Sequence, residues 1–545
     1  TLAAYEKSYN ERNTVRNIAH AQEYIRHYLD GSPIPGIAWE YEMLQQILPA
    51  LSVDMLNQIA QQLVTDENLI ISFQAPMDKN VVLPTEQEAV EMLAAVKNEE
   101  IEAPVEEAIR ENLVETTPKA AKIKKTAYNE TLGTTEWTLS NGVRVVVKPT
   151  TFKQDEILFY AFSQGGRSLV ATADLPSAAL ATDVVELGGL ADMNATDLQK
   201  ALTGKRVSLS PSISAYSEGV NGSSTVKDLE TLLQLNYLYF TAPRRDEESY
   251  QTLMSILDSQ LANRDKNPKV AWSDSVQMMA SNYSDRTLIV NKELLSKASL
   301  DKALEVYKAR FANPADFTFF FVGNVDPADP AFQTMVCTWL GGLKANKKLE
   351  KAADDKVRVA MGIQKNYFTR QMETKTASNR IQYTSYDMPY TLANDLNMEM
   401  IGRILSTRYL ESIREREGGS YGVGCAGWMN RHPVPYAQLI MQFDTDPEKQ
   451  EKLMNIIHEE VKTIIENGPL AKDLQKEKES MLKDFEENVE KNGYWTEVLS
   501  IYYKNGINYI TDYKAAVEAI TAETVQETLK KLVDAGNMFE VVMLP

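Results

Sequence analysis

The sequence predicts an α+β protein of tandem homologous domains, each a mostly antiparallel sheet with helices packed on one face. Three observations carry this. A helix-then-strand ending occurs three times, a second feature recurs at the same offset, and runs of strands precede runs of helices instead of alternating with them.

The first copy of the ending opens at Ser52-Val53-Asp54, continues with Leu56, Ile59, Ala60 and Leu63, and runs into Asn68-Leu69-Ile70-Ile71-Ser72-Phe73. The second opens at Ser299-Leu300-Asp301, carries Leu304, Tyr307, Lys308 and Phe311, and runs into Phe317-Thr318-Phe319-Phe320-Phe321-Val322. The third opens at Thr521-Ala522-Glu523, carries Val525, Thr528, Leu529 and Leu532, and runs into Phe539-Glu540-Val541-Val542-Met543-Leu544. In each, a Ser or Thr caps the first turn, an acid sits where the helix dipole favours it, and an apolar stripe at helical spacing leads to a strand. Ser224-Thr225 and Thr445-Asp446 each precede a further helix, at an offset of 221 (from 224 to 445), and the later two endings lie 222 apart (from 299 to 521). Two features at one offset predict two tandem domains of about 220 residues.

The expected organisation follows. Residues 1–80 read as helices and the tail of a domain that starts outside this sequence, because the first ending has too few residues before it. Residues 81–130 read as a charged linker, Glu-rich first and then carrying Lys119, Lys122, Lys124 and Lys125. Residues 131–350 open on a hairpin, with Trp137–Ser140 and Val143–Val147 flanking Asn141-Gly142, the strongest short-range hairpin signal. Ile157–Tyr160, Val207–Ser210 and Ile213–Tyr216 are expected strands, with helices around 174–187 and 194–203 and from Lys227 and Glu247. Residues 360–545 are expected to hold strands, a helix over about 391–417, strands over 421–430 and 435–444, then helices and a last strand.

Composition narrows the function. The 545 residues hold 57 Lys and Arg against 76 Asp and Glu, a net charge of -19, so nucleic acid would be repelled. No apolar run approaches the ~20 residues of a membrane span. Two cysteines, Cys337 and Cys425, allow one bridge or none.

Several motifs resemble the pitrilysin/insulinase family of zinc peptidases, in its C-terminal half. Thr138-Leu139-Ser140-Asn141-Gly142-Val143-Arg144-Val145 looks like the family's domain-opening hairpin, and Phe319-Phe320-Phe321-Val322-Gly323-Asn324 like its closing strand. Arg414-Glu415-Arg416-Glu417-Gly418-Gly419-Ser420-Tyr421-Gly422 looks like the motif near the end of its non-catalytic half. The resemblance implies a zinc endopeptidase that hydrolyses peptides inside a closed chamber. The metal would lie in an N-terminal catalytic half, the partner of this chain, and a bacterial periplasmic or envelope location would follow. The alternative is a non-peptidase binding or assembly subunit on the same fold.

The family's H-x-x-E-H zinc helix is absent from this sequence. Asp183-Val184-Val185-Glu186-Leu187 stands at roughly the corresponding place, and Leu187 cannot ligate, so no metal-binding residue is assigned to this chain. His20, Glu23 and His27 share one helical face and could hold a metal with an open position, but they read first as ordinary partly exposed helix residues. His432 and His458 read as structural. The candidate catalytic residues are Arg414 and Tyr421. Gly418 and Gly419 should end the helix and let Tyr421 begin a strand, so a guanidinium and a phenol could both donate to one peptide carbonyl. The resemblance implies that such a pair reaches across to a substrate held by the catalytic half. A helix-end Arg paired with a neighbouring Glu, beside a packed strand Tyr, is the structural reading of the same residues.

Overall fold

A computed structural model describes residues 1–63, 68–75, 80–100, 110, 112–346 and 349–545. The chain divides into two compact units, Thr1–Glu111 and Asn112–Pro545.

The first unit holds α1 (Leu2–Asn10), α2 (Asn17–Asp30), α3 (Ile37–Ile47), α4 (Val53–Leu63) and α5 (Glu86–Lys97). Ser52 caps α4, its Oγ accepting from the Met55 amide at 3.2 Å. Thr85 and Glu88 close a capping box on α5, which lies within the stretch expected as linker. Residues 68–75, expected to include a strand, form none. A strand needs a neighbour for its backbone groups, and among the described residues of this unit there is no strand to provide one. Residues 101–109 and 111 of the expected tether lie outside the described residues.

The second unit has two lobes. The first lobe's strands are β1 (Ile123–Asn129), β2 (Thr134–Leu139), β3 (Arg144–Pro149), β4 (Ile157–Gln164), β5 (Val207–Ile213), β6 (Ser217–Ser224) and β7 (Thr318–Gly323). Their order is β1-β2-β3-β7-β4-β6-β5, antiparallel except for the β3–β7 pair. Its helices are α6 (Leu175–Ala179), α7 (Ala181–Gly188), α8 (Ala195–Ala201), α9 (Leu229–Thr241), α10 (Glu247–Leu261), α11 (Pro268–Ala280), α12 (Lys292–Lys297), α13 (Leu300–Arg310) and α14 (Pro330–Trp339).

The second lobe has β8 (Ile363–Thr369), β9 (Ala377–Ser385), β10 (Gly424–Asn430), β11 (Tyr436–Thr445) and β12 (Asn537–Leu544), in the order β10-β11-β9-β12-β8. Here too one pair, β8–β12, is parallel. Its helices are α15 (Leu392–Tyr409), α16 (Gln450–Asn467), α17 (Ala471–Asn488), α18 (Asn492–Asn505), α19 (Tyr513–Glu518) and α20 (Ala522–Asp534). The order β5-β6-β4-β7-β3 in the first lobe repeats as β10-β11-β9-β12-β8, so the five central strands share one topology.

The repeated endings become α13–β7 and α20–β12. Ser299 and Thr521 cap their helices through the side-chain oxygen, as the sequence predicts. All six residues of β7 are buried, because both faces of the strand are covered. Phe319 and Phe321 face the lobe's own helices, while Phe320 and Val322 face α18 of the other lobe. In β12, Met538 and Val542 face inward, and Phe539 and Val541 meet Trp272, Val276 and Met279 of α11. The helices therefore do not lie on one face alone: each lobe lends one helix to the outer face of the other's sheet. Each lent helix is also tied at its start. Asn492 bonds Thr150 and Glu156, and Lys269 meets Asp444 at 2.6 Å.

Three local expectations need correction. Residues 123–129, placed in the linker, form β1, paired with β2 at the sheet edge, where the adjacent Lys124 and Lys125 are both exposed to water. Of the strand expected over 213–216, Ile213 ends β5 and 214–216 are the turn between β5 and β6. The true strand, Ser217–Ser224, holds two glycines and little β-favouring sequence, and it forms because β4 and β5 pair with it on both sides. The strand expected from 421 starts at Gly424.

Candidate functional site

The candidate site is the connection from α15 to β10. Tyr409 and Ile413 anchor it from below, both fully buried. Beyond Tyr409 the helix widens into a π-turn, Leu410–Glu415. The Gly418 amide then donates to the Arg414 carbonyl at 3.1 Å, and the Gly419 amide to the Ile413 carbonyl at 3.2 Å, which ends the helix where the two glycines predict.

Residues 416–423 are held from three sides. Ser420 Oγ donates to the Asp444 carbonyl at 2.7 Å, and Thr445 Oγ1 donates to the Gly419 carbonyl at 2.5 Å, both toward the end of β11. Lys449 Nζ donates to the carbonyls of Glu417 and Gly418 at 3.3 and 3.2 Å, and Lys452 pairs with Glu417 at 2.5 Å. Val423 is buried beneath. Because Ser420 bonds the Asp444 carbonyl, the chain joins the ladder only at Gly424, opposite Gln442. This bracing was not read from the sequence; Ser420, Thr445 and Lys449 give no signal of their own there.

On this frame Arg414 and Tyr421 are both outward. Arg414 is 55% exposed, with Glu415 at 4.0 Å as its ion-pair neighbour. Tyr421 is fully exposed, so it is not a packed strand residue. The arrangement puts a cation and a phenol on one short, braced connection, with donor groups directed to solvent.

The other sites weighed in the sequence look different. Glu186 of α7 is half-buried, and burial raises its carboxyl above the usual range against a hydrogen bond from Ser210. Leu187 beside it has no ligand atom, and the residues at this place do not fit a zinc ion. In α2, His20 Nδ1 lies 3.9 Å from Glu23, while His27 Nδ1 is engaged by the Ser32 carbonyl at 2.8 Å. Among the described residues no group of three His, Cys, Asp or Glu side chains could hold a metal ion. His458 bonds Tyr383 and Glu540 within the second lobe, a structural role. Cys337 and Cys425 are both free thiols. Among the described residues no helix is long and apolar enough to cross a membrane.

Comparison with known proteins shows what this chain is similar to. Residues 297–481, which include the whole connection, match the Peptidase M16 inactive domain. The chain is 24% identical over 563 residues to "Zinc protease PQQL-like" of Arabidopsis thaliana, covering 97% of this chain and 55% of that protein. It is 22% identical over 445 residues to "Probable zinc protease PqqL" of Escherichia coli, covering 79% of this chain and 46% of that one. The chain thus spans about half the length of the curated relatives it matches. In fold it resembles the crystal structure of the periplasmic protease PqqL from Escherichia coli, with a TM-score of 0.71 at 17% identity, over 100% of this chain and 60% of that one. It also resembles a peptidase M16 inactive domain from Pseudomonas fluorescens, with a TM-score of 0.61 at 16% identity, over 76% of this chain and 98% of that one. Residues 297–481 are thus similar to the inactive domain of the M16 peptidases, and the chain as a whole is similar to PqqL-like zinc proteases.

Proposed function

We propose that this chain is the non-catalytic C-terminal half of a zinc metalloendopeptidase, and that Arg414 and Tyr421 donate hydrogen bonds to a substrate peptide carbonyl. Within this reading, residues 131–350 and 360–545 are two non-catalytic peptidase-like domains, 81–130 is the tether, and 1–80 is the end of a third domain. The metal and the general base belong to an N-terminal half, and the two halves enclose the peptide. A periplasmic or envelope location belongs to the same reading, supported by the periplasmic location of the Escherichia coli protease it resembles in fold.

The observation that carries the proposal is the braced connection with two outward donors. A donor fixed before the substrate arrives needs little reorganisation when charge develops on the carbonyl oxygen. Backbone and side-chain bonds hold the loop, while the Tyr421 side chain is left to solvent.

The test is peptide hydrolysis by the full-length protein. Arg414→Ala and Tyr421→Phe should each lower kcat/KM by about 10²–10³-fold, the usual loss for one oxyanion donor, with unchanged thermal unfolding. Unchanged turnover in both variants would remove the donor role and favour a binding or assembly subunit. Stoichiometric zinc and hydrolysis by residues 1–545 alone would remove the half-enzyme reading altogether.

A further inference from the structure

The two lobes show what the third helix after the sheet does in this architecture. α18 leaves its own lobe, and Trp495, Val498 and Leu499 pack on Val146, Tyr160, Phe320 and Val322. α11 does the same in return, on Phe539 and Val541. The outer faces of both sheets are therefore already covered from within residues 112–545.

α2 has the same build as α18. Both are 14 residues long, both begin on an asparagine, and both end on a glycine in the left-handed region, Gly31 at φ +74° and Gly506 at φ +75°. Tyr24, Ile25, Tyr28 and Leu29 repeat the spacing of Val498, Leu499, Tyr502 and Tyr503. Both helices precede a capped exit helix, α4 in one case and α20 in the other. Their surroundings differ completely. Leu499 is fully buried, while Tyr28 is 88% exposed and Leu29 74%. Val53, Leu56, Ile59 and Leu63 of α4 are exposed too, although Val525, Leu529 and Leu532 of α20 are buried. An apolar face of this extent, placed as a lent helix, marks an interaction surface.

We infer that α2 is a lent helix whose Tyr24, Ile25, Tyr28 and Leu29 face covers the outer face of a third peptidase-like sheet, in the N-terminal half of the full-length protein. The occupant has the chemistry that α18 meets here: a sheet face of branched and aromatic side chains. The inference rests on the half-enzyme reading above, and on the relatives being almost twice the length of this chain. On this assignment the polar face with His20, Glu23 and Arg26 points to water, which accounts for the histidines without a metal.

Hydrogen exchange tests it, comparing residues 1–545 alone with the full-length protein. Amides of 17–30 should exchange at least about 100-fold more slowly in the full-length protein, reaching the protection of 492–505, which should be the same in both. The double variant Ile25→Asp with Tyr28→Asp should return 17–30 to fast exchange and leave 492–505 unchanged. Equal, fast exchange over 17–30 in both proteins overturns the inference, as does a gene product that begins at residue 1. Peptide hydrolysis is measured on the same samples. Activity with an unprotected α2 sinks the docking helix alone; a protected α2 without activity sinks the peptidase reading alone.

Discussion

Glu218 in the first lobe and Glu540 in the second are both almost fully buried, at 2% and 1% exposure, yet they titrate in opposite directions. Burial pushes the Glu218 carboxyl up to about 7. Its hydrogen bonds from the Gly166 amide and Ser163 do not undo that, and the nearby Arg310 pairs with Glu350 at 2.9 Å. For Glu540 burial acts the same way, but hydrogen bonds from His458 at 2.9 Å, Tyr367 at 2.5 Å and Lys365 at 3.0 Å outweigh it and hold the carboxyl at about 2. The lobes share a strand order and differ in how they treat a buried charge. One gives a buried carboxyl in β6 two hydrogen-bond donors, too few to offset burial; the other builds a cluster of three donors that joins α16, β8 and β12. Buried acids therefore cannot be judged by depth alone, and the number of donors decides the sign.

The largest effect tests what the lobes share, the exchanged helices. Trp495→Ala should cost about 3–5 kcal/mol in urea unfolding, because the side chain is buried between α18 and the first sheet and its indole N–H donates to Val489. Trp272→Ala should cost about half as much, since Trp272 is only partly buried at the second sheet. Equal losses would mean that the two crossings are mechanically alike. Next comes Glu540→Ala, with an expected loss of about 2–3 kcal/mol, as the acid is buried and its removal takes away the partner of the part-buried His458, while the more exposed Lys365 and Tyr367 can turn to water. A loss below about 1 kcal/mol would show that the cluster is not holding β8 in place.

Much of this architecture was legible in the sequence, for stated physical reasons. The exit helices were legible because cap, dipole and stripe agree within a dozen residues, and the hairpin because Asn141-Gly142 fixes the turn between β2 and β3. The helix end at Gly418-Gly419 was legible too, and with it Arg414 on the last turn, whereas Tyr421, expected to begin a strand, sits in the loop before β10. What failed was whatever depends on a distant partner. β6 forms from a glycine-containing stretch because two strands flank it, and β1 hides among lysines at an edge. Residues 68–73 have strand composition, and among the described residues of their unit no strand is there to pair with them. The exchange of α11 and α18 leaves no local mark, since an amphipathic helix does not state whose sheet it covers. The full exposure of Tyr421 is likewise set by Ser420 and Thr445 reaching β11, contacts that sequence spacing does not reveal.

The opposite titrations give the comparison its pH test. Glu218 has a raised carboxyl, so between about 4.5 and 7 the folded protein keeps a proton that the unfolded chain releases, and stability falls as pH rises through that window. Glu218→Gln should remove the fall and raise stability at pH 8 by on the order of 2–3 kcal/mol. Glu540 has a lowered carboxyl, so its contribution is complete above about 4.5 and is lost as pH falls toward 2. Urea midpoints measured from pH 3 to 8 separate the two. If Glu218→Gln leaves the limb between pH 5 and 7 unchanged, the first lobe compensates its acid after all and the contrast disappears.

The smallest effect concerns the connections themselves. In the first lobe α7 is short and reaches β5 through α8, while in the second α15 runs directly into the braced loop. That bracing requires Gly419. A Cβ there would stand 2.7 Å from Leu453 Cδ1 and 3.0 Å from Cδ2, on α16. Leu453 is fully buried and cannot swing away without moving its neighbours, so Gly419→Ala should cost about 1–2 kcal/mol. Three residues on, a Cβ at Gly422 meets nothing within 4 Å, and Gly422→Ala should change stability by less than about 0.5 kcal/mol. The pair reads rigidity directly. A loop held against α16 feels the first methyl and ignores the second, whereas a loose loop would shift and accept both. On the proposed function, Gly419→Ala in the full-length protein should also lower kcat more than it raises KM, because displacing the loop displaces Tyr421. Equal, negligible costs for the two alanines would leave Arg414 and Tyr421 as two exposed side chains with no fixed geometry between them, and the first lobe's longer connection would be no worse a platform.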